Sequence, residues 1–506
     1  MTKIDWTKPQ RQAPIGLVIF SIETIRKLVR IFWPIILGLF FGKGKSTDSD
    51  SLRDDIYLYG SIILVLFVLV NSLLSYWFFR FRIVDNELVI KKGYLKKINL
   101  SIPLERIQTV NIKQNIIQKI LNLVAVDIDT AGANETEVKL IAVRRFVAED
   151  LREKVKQREK QFKKELVKDI SNEEVEEEAS QTILALSLRD VVKVGLTENH
   201  LRSFSIILAS VFWLYSQIEE FYKVDTDKFL NTSTDAIGAF DFTNSFWFFV
   251  ILFLFLVSVF ISFVISFIRF YELKLKKQSN SFKLSFGLIS TKEITVPMSK
   301  IQLISWHRNP LRQMLLFETL KIKQASSDDK VKKKQAIEIP ACGLKHQKEI
   351  KNAIFGENEP VFSKTIKSHW LYYLRAFIFV SVLFVLPTIF YWWDDKEYQL
   401  SLIIYELFWA SFYTLAYFRR GFRISETQLE LTKGHVSKTI YQLQNYKIQS
   451  VKFRQNIFIK RRGLADVVVY TAAGENLTIP YIPEQYAKDL CNFLLYKIES
   501  TSKAWM

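Results

Sequence analysis

The sequence predicts a membrane protein of mixed α and β structure. Six transmembrane helices are expected in three hairpins, each followed by a small β-barrel or sandwich capped by a C-terminal helix. Three observations predict this. Long uncharged apolar runs alternate with charged segments. The charged segments share a threefold repeat without gaps. Within each copy, short runs alternate apolar and polar residues in period 2 before giving way to a helical pattern. The chain has 506 residues, room for about three domains. It is 49% hydrophobic and 24% charged, too apolar for most soluble proteins of this size and too charged for a bare helical bundle.

The apolar runs come first. About 20 apolar residues cross a bilayer core. Residues 56–79 and 242–268 carry no charge, and 203–218 and 376–393 are also uncharged. Residues 398–418 qualify if Glu406 is tolerated. Residues 17–41 begin with Glu23, Arg26, Lys27 and Arg30, which suits an interfacial stretch leading into an apolar half. The expected hairpins are 17–41/56–79, 202–220/245–268 and 370–392/399–418. Loops inside the hairpins are acidic or mixed. The other side opens on Arg80 and Arg82, on Arg269, or on Arg419, Arg420 and Arg423. Lys and Arg mark the cytoplasmic side, so both termini and all soluble modules are expected there. No short apolar core followed by a small-residue cleavage site opens the chain, and no cleaved signal peptide is expected.

The soluble segments then repeat. Residues 103–132 read PLERIQTVNIKQNIIQKILNLVAVDIDTAG, and residues 297–326 read PMSKIQLISWHRNPLRQMLLFETLKIKQAS. Residues 444–474 read QNYKIQSVKFRQNIFIKRRGLADVVVYTAAG. Arg106, Lys300 and Lys447 align, followed by Ile107, Ile301 and Ile448, then Gln108, Gln302 and Gln449. Asn115, Asn309 and Asn456 align further on, and Gly93, Gly287 and Gly434 upstream. The repeating unit is a helical hairpin plus a soluble module. The resulting segments are 1–79 (N-terminal part and hairpin one), 80–167 (module one) and 168–199 (a charged linker with EEVEEE at 173–178). Hairpin two (200–268), module two (269–357), hairpin three (358–418) and module three (419–499) complete the chain.

Two spans, then strand–Gly–strand, then a basic residue with Ile-Gln and a downstream Asn, resembles the bacterial pleckstrin-homology-like (PH-like) membrane proteins, in the form that carries three modules. The resemblance covers nearly the whole chain. It implies PH-like barrels of seven strands in two sheets with a C-terminal helix, in a bacterial plasma membrane. It implies no chemistry. Gln444 replaces the Pro of the first two copies, and Arg308 replaces the Gln found at 114 and 455, so the copies need not share a ligand.

Each motif carries two readings. The basic-Ile-Gln core suits either a ligand-contacting strand or an inward Ile beside a Gln that satisfies a backbone bend. The Asn suits a turn, since it bonds its own backbone. Residues 269–355 carry 18 Lys and Arg against 7 Asp and Glu, with a run at Lys332, Lys333 and Lys334. Such charge suits an anionic leaflet, at roughly 1 kcal/mol per cation, or a solvated loop with ordinary positive-inside bias. Glu406 and Arg375 lie within expected spans, at depths an Arg side chain bridges. They suit either a structural pair or a transport site.

Several function classes are excluded. Gly44-Lys45-Ser46 lacks the earlier Gly of a phosphate-binding loop, since position 39 is Leu. The 5 His show no metal spacing, and 2 isolated Cys build neither a disulfide framework nor a metal site. No nucleophile–base pair appears, so neither an enzyme nor a cofactor is expected. The net charge of +18 calls for an anionic partner. Stacking aromatics are not interleaved with the cations, which argues against nucleic acid. The expected function is a non-enzymatic membrane scaffold whose modules bind protein partners or the anionic bilayer surface. The alternative is a small-molecule or ion transporter built on the six helices with Glu406 and Arg375.

Overall fold

The computed structural model describes residues 5–22, 24–26, 28, 30, 50–94, 96–130, 138–167, 181–222, 242–325, 336–357, 360–392 and 396–501. The chain divides into two compact units. One comprises Met1–Gln181 with Lys276–Pro297, the other Thr182–Leu275 with Met298–Met506.

In the first unit, β1 (Gln10–Arg11), β2 (Arg80–Val84), β3 (Glu87–Lys92) and β4 (Ile98–Pro103) form one antiparallel sheet in that order. Helix α1 (Asp50–Trp77) precedes β2. Asp85 and Asn86, both at positive φ, make the tight β2–β3 turn that suits the twist of a hairpin. The second sheet contains β5 (Ile107–Gln114), β6 (Leu123–Thr130) and β7 (Val138–Arg144). A short helix, α2 (Ile116–Ile120), links β5 to β6, and α3 (Arg145–Val167) closes the module. Alternating side chains face inward: Phe81, Leu88 and Ile90 from one sheet meet Val124, Val126 and Leu140 from the other, with Ala148 and Leu151 of α3 over them.

Beyond α3 lie β8 (Gln181–Ala185), α4 (Leu188–Leu196), α5 (His200–Tyr222), α6 (Phe242–Phe270) and β9 (Lys274–Gln278). β10 (Ser281–Phe286) and β11 (Thr291–Pro297) belong to the second repeat copy but to the first compact unit. The reason is strand pairing: β11 adds antiparallel to β5, giving the order β7-β6-β5-β11-β10. Glu293 of β11 is then gripped by α3. Arg152 donates to it at 2.8 Å and Arg145 at 3.1 Å.

The second unit repeats the plan. β12 (Ile301–Arg308), α7 (Pro310–Met314), β13 (Glu318–Gln324), β14 (Ala336–Cys342) and α8 (Leu344–Phe355) complete copy two. Copy three follows α9 (Leu371–Trp392) and α10 (Lys396–Arg419). It contains β15 (Gly421–Ile424), β16 (Gln428–Lys433), β17 (Lys438–Gln444), β18 (Ile448–Arg454), α11 (Ile457–Lys460), β19 (Leu464–Thr471), β20 (Asn476–Pro483) and α12 (Glu484–Glu499). Here β17 adds to β12, so one sheet runs β14-β13-β12-β17-β16-β15, and β18-β19-β20 form the other. Leu429, Leu431 and Leu443 pack on Val467, Val469 and Ile479 beneath α12.

The six-span arrangement is corrected. Among the described residues, two helices are long and apolar enough to cross a membrane, Phe248–Phe270 and Leu400–Arg419, and both are largely uncovered by the rest of the chain. The other apolar stretches, Leu66–Trp77, His200–Leu214 and Leu371–Leu383, are each under 18 residues. They are parts of the longer helices α1, α5 and α9. The apolar half of the first expected span, residues 31–41, lies outside the described residues. α1 opens on Asp50, Arg53, Asp54 and Asp55, and α5 ends near Glu219 and Glu220, so neither helix is apolar along its whole length. The transporter alternative was framed on that six-helix arrangement. The structure also does not pair Arg375 with Glu406. Arg375 donates to the Tyr481 hydroxyl at 3.1 Å, and Glu406 accepts from Ser381 at 2.8 Å.

Candidate functional site

The repeat motif builds the same local device in each copy. Ile107, Ile301 and Ile448 are buried at the start of β5, β12 and β18. The pairing register slips between Ile107 and Thr109, between Ile301 and Leu303, and between Ile448 and Ser450. The intervening Gln108, Gln302 and Gln449 therefore sit at a bulge, which bends the strand. Gln302 is buried, whereas Gln108 and Gln449 are exposed. Arg106 is exposed, Lys300 is half-buried, and Lys447 is buried.

At the far end of each of these strands stands the repeated Asn, in extended backbone ahead of a short helix. Asn309 Oδ1 accepts from Arg312 N–H at 2.7 Å, and Asn456 Oδ1 accepts from Ile459 N–H at 3.0 Å. Asn115 N–H instead donates to Gln118 Oε1 at 2.8 Å. Each arrangement occupies a polar group that a helix start leaves open.

What these turns project is apolar. Ile120 is 75% exposed in copy one, Met314 and Leu316 79% each in copy two, and Phe458 77% in copy three. Each turn also packs at the foot of an upstream helix. In copy one, Leu121 and Leu123 meet Ala13, just ahead of a helical stretch over residues 16–22, and Ile19 within it. There a cavity of about 680 Å³ lies between the turn and residues Pro14 and Ile15. In copy two, Asn309 Nδ2 donates to Thr197 O at 2.7 Å, and Arg312 reaches Glu198 at 3.1 Å, just ahead of α5. In copy three, Ile459 packs with Tyr481 against Leu371 and Tyr372 at the start of α9. A cavity of about 670 Å³ there is lined by Leu374, Phe458, Arg375, Arg461 and Arg462. Apolar tips beside cations match the chemistry of a bilayer interface, where acyl chains lie under anionic headgroups.

The sequence reading passed over these turn residues. The signal was present, since apolar residues follow the Asn in all three copies (NIIQKI, NPLRQML, NIFIK).

The cations singled out in the sequence mostly serve internal contacts. Arg269 pairs with Glu338 at 2.9 Å. Arg419 donates to the carbonyls of His435 and Val436. Arg420 stacks over Tyr372, and Arg423 grips Glu430 through two bonds of 2.8 and 3.0 Å. Arg80 is exposed and Arg82 half-buried at the head of β2. Lys332, Lys333 and Lys334 lie outside the described residues.

Two antiparallel sheets with a closing helix, repeated three times, define a class before any name does. Residues 33–159, 204–358 and 374–498 match the profile of the bacterial PH domain, and the chain belongs to that family. It is similar to the UPF0699 transmembrane protein YdbT of Bacillus subtilis (strain 168). The two are 24% identical over 514 residues, an alignment that covers 97% of this chain and 99% of the relative.

Proposed function

We propose that this chain is a non-enzymatic membrane scaffold that seats its PH-like modules on the anionic, cytoplasmic surface of the bacterial plasma membrane. The observation that carries the reading is the repeated apolar turn at the foot of a helix in each of the three copies. Two long apolar helices, the transmembrane relative and the net charge of +18 support it. Each turn contributes a shallow apolar anchor, and three anchors on one chain act together, so modest individual affinities multiply. Arg461 and Arg462 sit where headgroup phosphates would lie above the acyl chains that take up Phe458.

The test places a tryptophan at a turn tip. Full-length protein carrying Phe458→Trp is reconstituted into vesicles containing anionic lipid with bromines high on the acyl chains. A blue-shifted emission from position 458, quenched by the brominated lipid, is expected after subtraction of the parent signal. Emission typical of water and no added quenching would overturn the reading.

A further inference from the structure

Two strand joints hold successive copies together, and they share one geometry. In the first, Gln114 faces Thr291, Lys113 faces Lys292 and Ile112 faces Glu293. In the second, Arg308 faces Lys438, His307 faces Thr439 and Trp306 faces Ile440. Counted from the repeated Asn and Gly, these are the same positions. The chain thus uses one register twice to add the third strand of one copy to the fourth strand of the copy before it, counted from the strand that follows the helices.

The series leaves one half-joint at each end. Copy three offers the fourth strand β18, and copy one offers the third strand β4. Among the described residues, β18 is the edge of its three-stranded sheet and β4 the edge of its four-stranded sheet. The side chains record the difference. Ile112 and Trp306, beneath closed joints, are 5% and 1% exposed, whereas Phe453 at the same place is only half-buried. Val110 and Ile304 are buried, whereas Val451 is half-buried. On the other half, Ile98 and Asn99 are exposed, whereas their counterparts Lys292, Glu293, Thr439 and Ile440 are half-buried.

We infer that β18 of one molecule pairs antiparallel with β4 of a second copy, extending between molecules the joint that links copies within one. The register carried over sets Arg454 opposite Ile98, Phe453 opposite Asn99 and Lys452 opposite Leu100. A second copy is the occupant because every chain carries one of each half, cut to a register it already uses twice. Charge on an edge strand guards against indiscriminate pairing. Arg454 is held by Asp466 at 3.2 Å, just as Lys113 is held by Asp127 in a strand that is joined. Lys452, standing where Asn111 and Ser305 stand in the closed joints, is the charge that sets this edge apart. The contact is head-to-tail, so copies close into a ring or extend as a filament.

The test is disulfide trapping of the full-length protein in reconstituted membranes. The native thiols Cys342 and Cys491 are buried and stay in place. On oxidation, Lys452→Cys/Leu100→Cys is expected to give dimers and a ladder of higher multiples. Either single variant should give none, and the shifted pair Lys452→Cys/Ile98→Cys several-fold less. Mixing isotope-labelled and unlabelled chains identifies a link between molecules. Monomers alone, links confined to one chain, or equal trapping by the shifted pair would overturn the inference. A second measurement needs no variant: wild-type protein in mild detergent should gain mass with concentration, and a monomer at every concentration would also overturn it.

Discussion

Lys447 Nζ lies 2.7 Å from the carbonyl oxygen of Ile301, so the basic residue of the third motif copy is fastened to the start of β12 in the second copy. The same ammonium donates to Ser299 O at 3.0 Å. An ammonium has three donors and no acceptor, which suits a cluster of carbonyls. The motif's cation in copy three is therefore a clasp between copies.

Removing that clasp should cost stability. Lys447→Met keeps the stem and leaves the carbonyls of Ser299 and Ile301 without their donor. A loss of about 1–3 kcal/mol is expected, read as a lower midpoint in thermal unfolding of the detergent-solubilised protein. An unchanged midpoint would mean water replaces the ammonium without cost.

The joint between β5 and β11 should weaken in acid. Burial pulls the Glu293 carboxyl upward, but hydrogen bonding and charge from Arg152, aided by Lys283 and Arg145, hold it below its ordinary value. A carboxylate depressed on folding contributes stability above its unfolded pKa, near 4.5, and loses it as pH falls through the lower folded value. Glu293→Gln should destabilise the protein at pH 7 and flatten its stability below pH 4.5. Parallel urea unfolding of both forms across that range checks the sign.

His307 should make the second joint sensitive at milder acidity. Its Nδ1 lies 3.0 Å from Thr439 Oγ1 on the joined strand. Burial, then the charges of Arg312 and Lys321, push its pKa down to about 4 from 6.5. The folded state thus holds His307 neutral while the unfolded chain takes up a proton. Stability is complete above pH 6.5 and falls as pH drops toward 4. After discounting for solvent screening, the loss is on the order of 1–2 kcal/mol. His307→Gln should remove that slope; an identical slope in the variant would assign it to other groups.

The repeated glycines close a turn no other residue fits. Gly93, Gly287 and Gly434 stand at φ of 89°, 109° and 138°. A Cβ on them would run into the carbonyl oxygen of Lys96, Ser290 or Ser437. Gly434→Ala should cost about 1–3 kcal/mol. Gly343→Ala, at ordinary φ with only His346 Nδ1 3.9 Å away, should be tolerated. Equal midpoints for the two variants would contradict this account of the repeat.

Much of the local plan was legible in the sequence. Strand alternation, the turn glycines and the closing helices are short-range features, written in the period of apolar residues and in the few residues able to adopt positive φ. The threefold repeat was legible for the same reason, since each copy restates those local rules. The candidate site was half legible: the Asn at 115, 309 and 456 stood out, while the apolar residues after it did not. An apolar residue in a short run looks the same whether it faces a core or the outside.

The amino-acid order by itself determined the modules, their number and their family. Tertiary structure decided which strand edges are joined, because edge pairing uses backbone N–H and C=O groups that no side-chain period reports. It placed Glu293 under Arg152 and Lys447 on Ile301, contacts between residues more than a hundred positions apart. Among the described residues it shows two helices long and apolar enough to cross a membrane, where six were expected. Local rules act within a few residues of the chain, whereas joints between copies depend on which surfaces meet once the chain has folded.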